Sequence, residues 1–247
     1  MGKPRGPDAA ASEQLRVSGL DEPIEVRRHP MARRMTLRVS RTKRAVIVTL
    51  PMKCNLKQAG QFLTTNIEWV RERLTSMPEP VPFADGGMIP LRGIPHRIVF
   101  LGPKRGAPVK QVVISDAHEI HVTGALEHAP RRLRDWLIAE ARKDLVERSH
   151  HHADKLGLKI GRITVRDQTS RWGSCSSTGN LSYSWRLILA PPAILDYVAA
   201  HEVAHLKEMN HGPNFWALVE QTFPALAEAK EWLQVYGLDL HRYGSES

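Results

Sequence analysis

The sequence predicts an α+β fold, with strands concentrated in its first half and helices in its second. Three observations carry that expectation. Within residues 23–50 and 90–122, short runs alternate apolar and polar side chains, the period of half-buried strands. From Pro130, Leu133, Leu137, Ala141, Leu145, His152 and Leu156 recur on one stripe, the period of a helix. A further helix, opened by Pro191 and Pro192, carries His-Glu-Val-Ala-His from His201. The expected architecture is this H-E-x-x-H helix packed on a small sheet, preceded by a region rich in β-hairpins.

Length and composition narrow the class. With 247 residues the chain can build one large domain or two small ones with proper cores. Apolar residues at 42% and charged residues at 25% exclude a fibre and a globally disordered chain. No apolar run reaches about 18 residues, so no membrane-spanning helix is expected. Residues 1–18 mix Pro, Gly, Asp, Ala and Ser behind Lys3 and Arg5, which reads as a flexible tail and not a secretory signal. Cys54 and Cys175 stand apart, outside any C-x-x-C pair, as expected in a reducing, cytoplasmic setting. A net charge of +9 suits nucleic acid, nucleotides or acidic proteins as partners.

The elements follow in order. Ile24 and Val26, then Met35, Leu37 and Val39, then residues 45–50 form three strands, with turns expected near 29–30 and 40–43. Asn55 reads as the N-cap of one helix built on Leu56, Ala59, Phe62, Leu63, Ile67, Val70 and Leu74. Residues 78–87 form a loop. Residues 90–101 are strand-rich, turning at Gly93 and Pro95, and 111–114 with 119–122 form another hairpin. The long helix from Pro130 ends at Gly157. Ile163 and Val165 mark a strand, and residues 181–189 another. The helix from Pro191 is expected to reach about Met209, where Asn210 and Gly212 break it, with two short helices near 213–222 and 224–236. No internal repeat is visible. The organisation expected is a tail at 1–18, a β-rich region with one helix at 19–127, and a catalytic region at 128–243.

The chemistry sits in the H-E-x-x-H pattern. Residues four apart share a helix face, so His201 and His205 can each aim a nitrogen at one metal ion. Glu202, beside His201, can reach a metal-bound water without ligating the metal. Zinc lowers the pKa of such a water to about 7, and the carboxylate takes its proton as it attacks. A catalytic zinc needs a third protein ligand and one open position. His211, six residues past His205 and just beyond the break, is favoured for that role, and Glu208 competes with it. A helix as apolar as Ile194, Leu195, Val198 and Ala199 make this one would not bury two histidines and a glutamate without a metal or partners.

Other residues have a functional and a structural reading. Residues 181–189 could be an edge strand that pairs with an extended substrate, or an ordinary core strand. Arg171, Tyr183 and Tyr197 are candidate contacts to a transition state or substrate. Arg171 could instead tie its turn to Asp196, and packing is favoured for both tyrosines. Cys175 reads as an inert buried thiol. Phe215 and Trp216 are expected to pack the short helix against the metal helix and fix His211. His150, His151 and His152 point in different directions on a helix and read as its solvated end rather than as a second metal site. Eight Lys or Arg residues and no acid lie between Arg27 and Arg44, giving either a basic patch or solvated strand edges.

A longer constellation carries a resemblance. Ser170-Arg171-Trp172-Gly173-Ser174-Cys175 is followed by residues 179–187, Ala190-Pro191, Asp196-Tyr197-Val198, the histidine pattern, Asn210-His211-Gly212 and Phe215-Trp216. This ordered set resembles the YgjP-like metallopeptidases, relatives of the SprT-like and WLM zinc proteases, over residues 20–243. The resemblance implies a zincin-like catalytic region, one zinc ion per chain on His201, His205 and His211, and Glu202 as the catalytic base. It also implies that residues 19–243 form one family domain. Ser184 departs from the family, which often has Asn there. A metzincin reading fails, because Glu208 stands where that pattern has Gly and no Met follows Met209 for its methionine turn.

The function expected is therefore zinc-dependent hydrolysis, foremost a metalloendopeptidase acting on polypeptides through a Glu-activated water. Two alternatives use the same site. One is a metal-dependent nucleoside triphosphate pyrophosphatase, a reaction ascribed to some YgjP-like proteins. The other is a nucleic-acid-associated SprT-like protease that binds through the basic N-terminal hairpins.

Overall fold

The computed structural model describes residues 13–15, 17–40, 45–103, 112–115, 117–168 and 170–244. The chain divides into two compact units, residues 1–79 and 80–247. The division falls after Glu79, so the strands between 88 and 123 group with the helical half and not with the N-terminal strands. No helix among the described residues is long and apolar enough to cross a membrane.

The first unit is a mixed sheet backed by helices. Its strands are β1 (Glu13–Leu15), β2 (Ile24–Arg28), β3 (Thr36–Ser40) and β4 (Ala45–Leu50), in the order β1-β2-β4-β3. The flexible tail expected at 1–18 is shorter at its inner end, because residues 13–15 pair with β2; residues 1–12 lie outside the described residues. The hairpin expected near 29–30 does not form. β2 pairs with β4 in parallel, and β3 takes the other side of β4 in antiparallel register. β4 explains this: it is buried at nearly every position, as a central strand with two neighbours must be.

Asn55 caps α1 (Leu56–Thr65) as expected, and Gln58 returns the bond to the Asn55 N–H. The single helix expected here is two, because Asn66 breaks it before α2 (Ile67–Thr75). The core of this unit joins Val26, Val46, Val48 and Leu50 to Ala59, Leu63 and Val70.

The second unit opens with β5 (Met88–Leu91), β6 (Ile94–Gly102), β7 (Val112–Ser115) and β8 (Glu119–Thr123), in the order β5-β6-β8-β7. Arg92 and Gly93 turn β5 into β6 with φ of 50° and 77°, the two left-handed residues of a type I′ hairpin. Arg92 adopts this conformation while its guanidinium pairs with Glu140 and Asp144 and its N–H donates to the Ile188 carbonyl. α3 (Ala129–Leu156) follows, its Leu133–Leu137–Ala141–Leu145–His152 stripe fully buried and its end capped by left-handed Gly157.

The third sheet holds the site. β9 (Ile163–Arg166), β10 (Gly173–Cys175) and β11 (Leu181–Ser184) take the order β10-β11-β9. The strand expected over 181–189 stops at Ser184. Residues Trp185–Leu189 wind into a 3-10 turn in which all five side chains are buried. Arg186 is among them, bonded to Asp167 and to the carbonyls of Leu240, His241 and Tyr243. β11 is also not an edge, since β9 and β10 flank it; the edge strands are β9 and β10, and β10 is the one beside α4.

α4 (Pro192–Ala204) packs against α3 and β10, and is buried on nearly every side. It ends at Ala204, short of the expected Met209, and a tight turn follows in which Leu206, Lys207 and Glu208 N–H groups bond to Val203 and Ala204. α5 (Pro213–Thr222) and α6 (Leu226–Tyr236) complete the unit. Arg148 and His152 on α3 both hold Asp196 on α4, at 2.6–2.8 Å and 2.7 Å. His152 is thus fully buried rather than solvated, as its place on the apolar stripe of α3 requires.

Candidate metal centre

The end of α4 brings three imidazoles together. His201 lies in its last turn, His205 is its C-cap, and His211 returns from the turn that follows. Their ligand nitrogens all lie within 4.8 Å of one another, the one such cluster among the described residues. His201 Nε2 and His211 Nε2 are 3.1 Å apart. Three nitrogens around one zinc at its usual bond length stand about 3.4 Å apart, so the trio needs little movement to close on an ion. His205 Nδ1 lies 2.9 Å from the Glu208 carbonyl, which orients the ring and leaves Nε2 for the cluster. Glu208, the rival third ligand, enters through its backbone, and its carboxylate is not part of the cluster.

The rings are held by aromatic packing. Phe215, fully buried on α5, stands 4.8, 4.5 and 4.7 Å from the centroids of His201, His205 and His211. Trp216 lies 5.8 Å from both His201 and His211. Burial, and then the nearby His205, His211 and Lys230, push the His201 pKa down to about 3. Burial also lowers His205. Both shifts favour neutral His201 and His205, the state in which imidazole binds a metal.

Glu202 is buried beside the trio, and burial raises its pKa to about 7 against the opposing pull of Arg171. β10 presses on it. A Cβ on Gly173 would stand 2.5 Å from Glu202 Cγ and 2.6 Å from Oε1, so only glycine lets the carboxylate lie along this strand.

The other candidates separate. Arg171 is exposed, with its charge felt at Glu202. It does not tie to Asp196, which Arg148 and His152 occupy. Tyr197 is buried and packs edge-on at 5.9 Å from His201. Tyr183 is fully buried with its hydroxyl 3.0 Å from Ser149 Oγ, a core position without access to substrate. Cys175 is half-buried, and burial pushes its thiol up, so it stays protonated and unreactive.

The N-terminal basic residues lie in the other unit. Arg27 pairs with Glu25, Arg28 donates to the Met52 and Cys54 carbonyls, and Arg33, Arg34 and Arg38 are exposed. Arg41, Lys43 and Arg44 lie outside the described residues.

Sequence reasoning missed two neighbours of the site. Gly173 was legible only as part of a motif, since no pattern says which glycine a distant glutamate will press against. Lys230 lies on α6 with its ammonium 4.8 Å from the centre of the Trp216 ring. Its distance along the chain from the histidines hid it.

Three imidazoles converging beside a buried carboxylate are the donor set of a metal-dependent hydrolase. The YgjP-like metallopeptidase domain matches residues 33–236, and the chain belongs to that family. It is a metallopeptidase, and the match spans both compact units. The crystal structure of the metallopeptidase zymogen of Pyrococcus abyssi abylysin matches with a TM-score of 0.35 and 25% identity, over 40% of this chain and 97% of that one. No curated protein matches the chain.

Proposed function

We propose that this metallopeptidase holds one zinc ion on His201, His205 and His211 and cleaves internal peptide bonds with Glu202 as general base. The observation that carries the reading is the convergence of three imidazole nitrogens beside a buried carboxylate. The donor set fits the metal: all three candidate ligand atoms are imidazole nitrogens. Bound there, zinc would supply a Lewis acid for the scissile carbonyl and favour ionisation of a water.

The protein's own groups do the rest. Glu202 takes the proton of the attacking water and returns it to the leaving amine, and a pKa near 7 suits both transfers. Gly173 fixes where that carboxylate lies. The free edge of β10 replaces residues 181–189 as the strand that an extended polypeptide can join, since it runs directly past Glu202.

The test is Glu202→Gln. It is expected to keep about one zinc per chain by metal analysis while losing cleavage of an unfolded protein substrate. Retained turnover would remove Glu202 as the base, and hydrolysis of nucleoside triphosphates but not of protein would move the reading to pyrophosphatase chemistry.

A further inference from the structure

Lys230 is an exposed cation on α6, held close to the histidine trio. Its ammonium lies over Trp216, whose ring centre is 5.8 Å from both His201 and His211. An aromatic face attracts a cation, so the ring holds the lysine beside the metal-binding trio and not out in solvent. α6, which carries it, packs against α4. Among the described residues Lys230 makes no ion pair, and its charge is therefore not spent on a carboxylate of the protein. Its helical neighbours Glu228 and Glu231, two and one positions away, point in other directions.

A second cation, Arg171, stands at the entry to β10 with its charge felt at Glu202, as that of Lys230 is at His201. Two positive side chains thus border a site whose own carboxylate is buried. A peptide whose scissile bond reached the trio would carry its flanking side chains into the field of Lys230. An acidic side chain gains an ion pair there, and a basic one meets repulsion.

We propose that Lys230 makes this enzyme prefer polypeptide segments with a Glu or Asp next to the scissile bond. The inference rests on the peptidase reading and names its substrate class. Because Lys230 is exposed, the preference is modest, about fivefold at low salt, and it shrinks as salt screens the pair.

The experiment first finds the cleaved bond, by mass spectrometry of the products that zinc-loaded wild type makes from a mixed peptide pool. Two labelled peptides are then made around that bond, differing only in Glu or Gln at a flanking position. Their affinity for the Glu202→Gln protein is read by fluorescence anisotropy, and their kcat/KM is read with wild type. The Glu peptide is expected to bind about fivefold tighter. Lys230→Gln should abolish the ratio, Lys230→Glu invert it, Lys230→Arg keep it, and 0.5 M salt reduce it. A ratio near one with Lys230 present, or a ratio that survives Lys230→Glu, overturns this inference and leaves the peptidase reading intact. A zinc-loaded wild type that cleaves nothing in the pool overturns both.

Discussion

His211 is the residue on which the proposed metal site turns, because it is the one member of the histidine cluster that the helix does not supply. His201 and His205 share a face by helical geometry, and four-residue spacing made them legible at once. His211 needed a turn after Ala204 that brings the chain back, and the break at Asn210 and Gly212 signalled that turn without fixing its path. The two candidates for third ligand sit differently: His211 Nε2 meets His201 Nε2, while Glu208 offers its carbonyl to His205, which supports His211 in that role. His211→Ala should therefore lower zinc affinity by more than about a hundredfold, beyond what loss of an outer-shell partner costs. Glu208→Ala, which keeps the backbone carbonyl, should retain zinc. Competition with a chromophoric chelator reads both, and equal losses would contradict the assignment. The tyrosines show the limit of residue-level reading. Tyr183 and Tyr197 are both buried, yet one bonds to Ser149 in the core and the other packs against His201, because alternation along β11 and rotation along α4 decide their neighbours.

At the scale of elements, the site depends on how β10 and α3 hold α4. β10 touches Glu202 through Gly173, where the space belongs to the carboxylate. Gly173→Ala adds one carbon at 2.5–2.6 Å from that side chain and must displace it. A misplacement of about 1 Å can cost a hundredfold in rate, so turnover should fall by about that factor while zinc content stays near one per chain. Measuring both on the same sample separates a shifted base from a lost metal. On the other side, Asp196 receives Arg148 and the fully buried His152, joining α3 to α4. Asp196→Ala leaves these two groups without their acceptor, and stability should drop by about 2 kcal/mol in denaturant unfolding. The exposed Asp135→Ala is the control and should cost little. Element types were largely legible from periodicity, and the misreadings have a common cause. Residues 181–189 and 45–50 are apolar enough to be buried, but burial does not say which neighbour covers them. Pairing order, and hence which strand is an edge, is a property of the sheet and not of the run.

At the scale of the molecule, the two four-stranded sheets share one plan. In each, two outer strands pair antiparallel with an inner pair that is itself parallel, and helices follow in sequence. No sequence repeat announces this, since an arrangement of pairings constrains where apolar residues fall and little else. The shared plan ends in two cores. The first sheet is closed by α1 and α2, whereas Ile98, Ile120 and Val122 of the second join the core that contains Leu133, Leu137 and Val203. All three histidines and Glu202 belong to this second core's unit. Metal binding stabilises only the unit whose folding builds the site, by an amount that grows with free metal over its dissociation constant, about 2.7 kcal/mol at a hundredfold excess. Chelation should therefore deprotect amides of α4 and α5 in native-state hydrogen exchange while leaving protection in β4 and α1 unchanged. Restoring zinc should reverse the effect. If both units lose protection together on chelation, they unfold as one cooperative body and the metal is part of the stability of the whole chain.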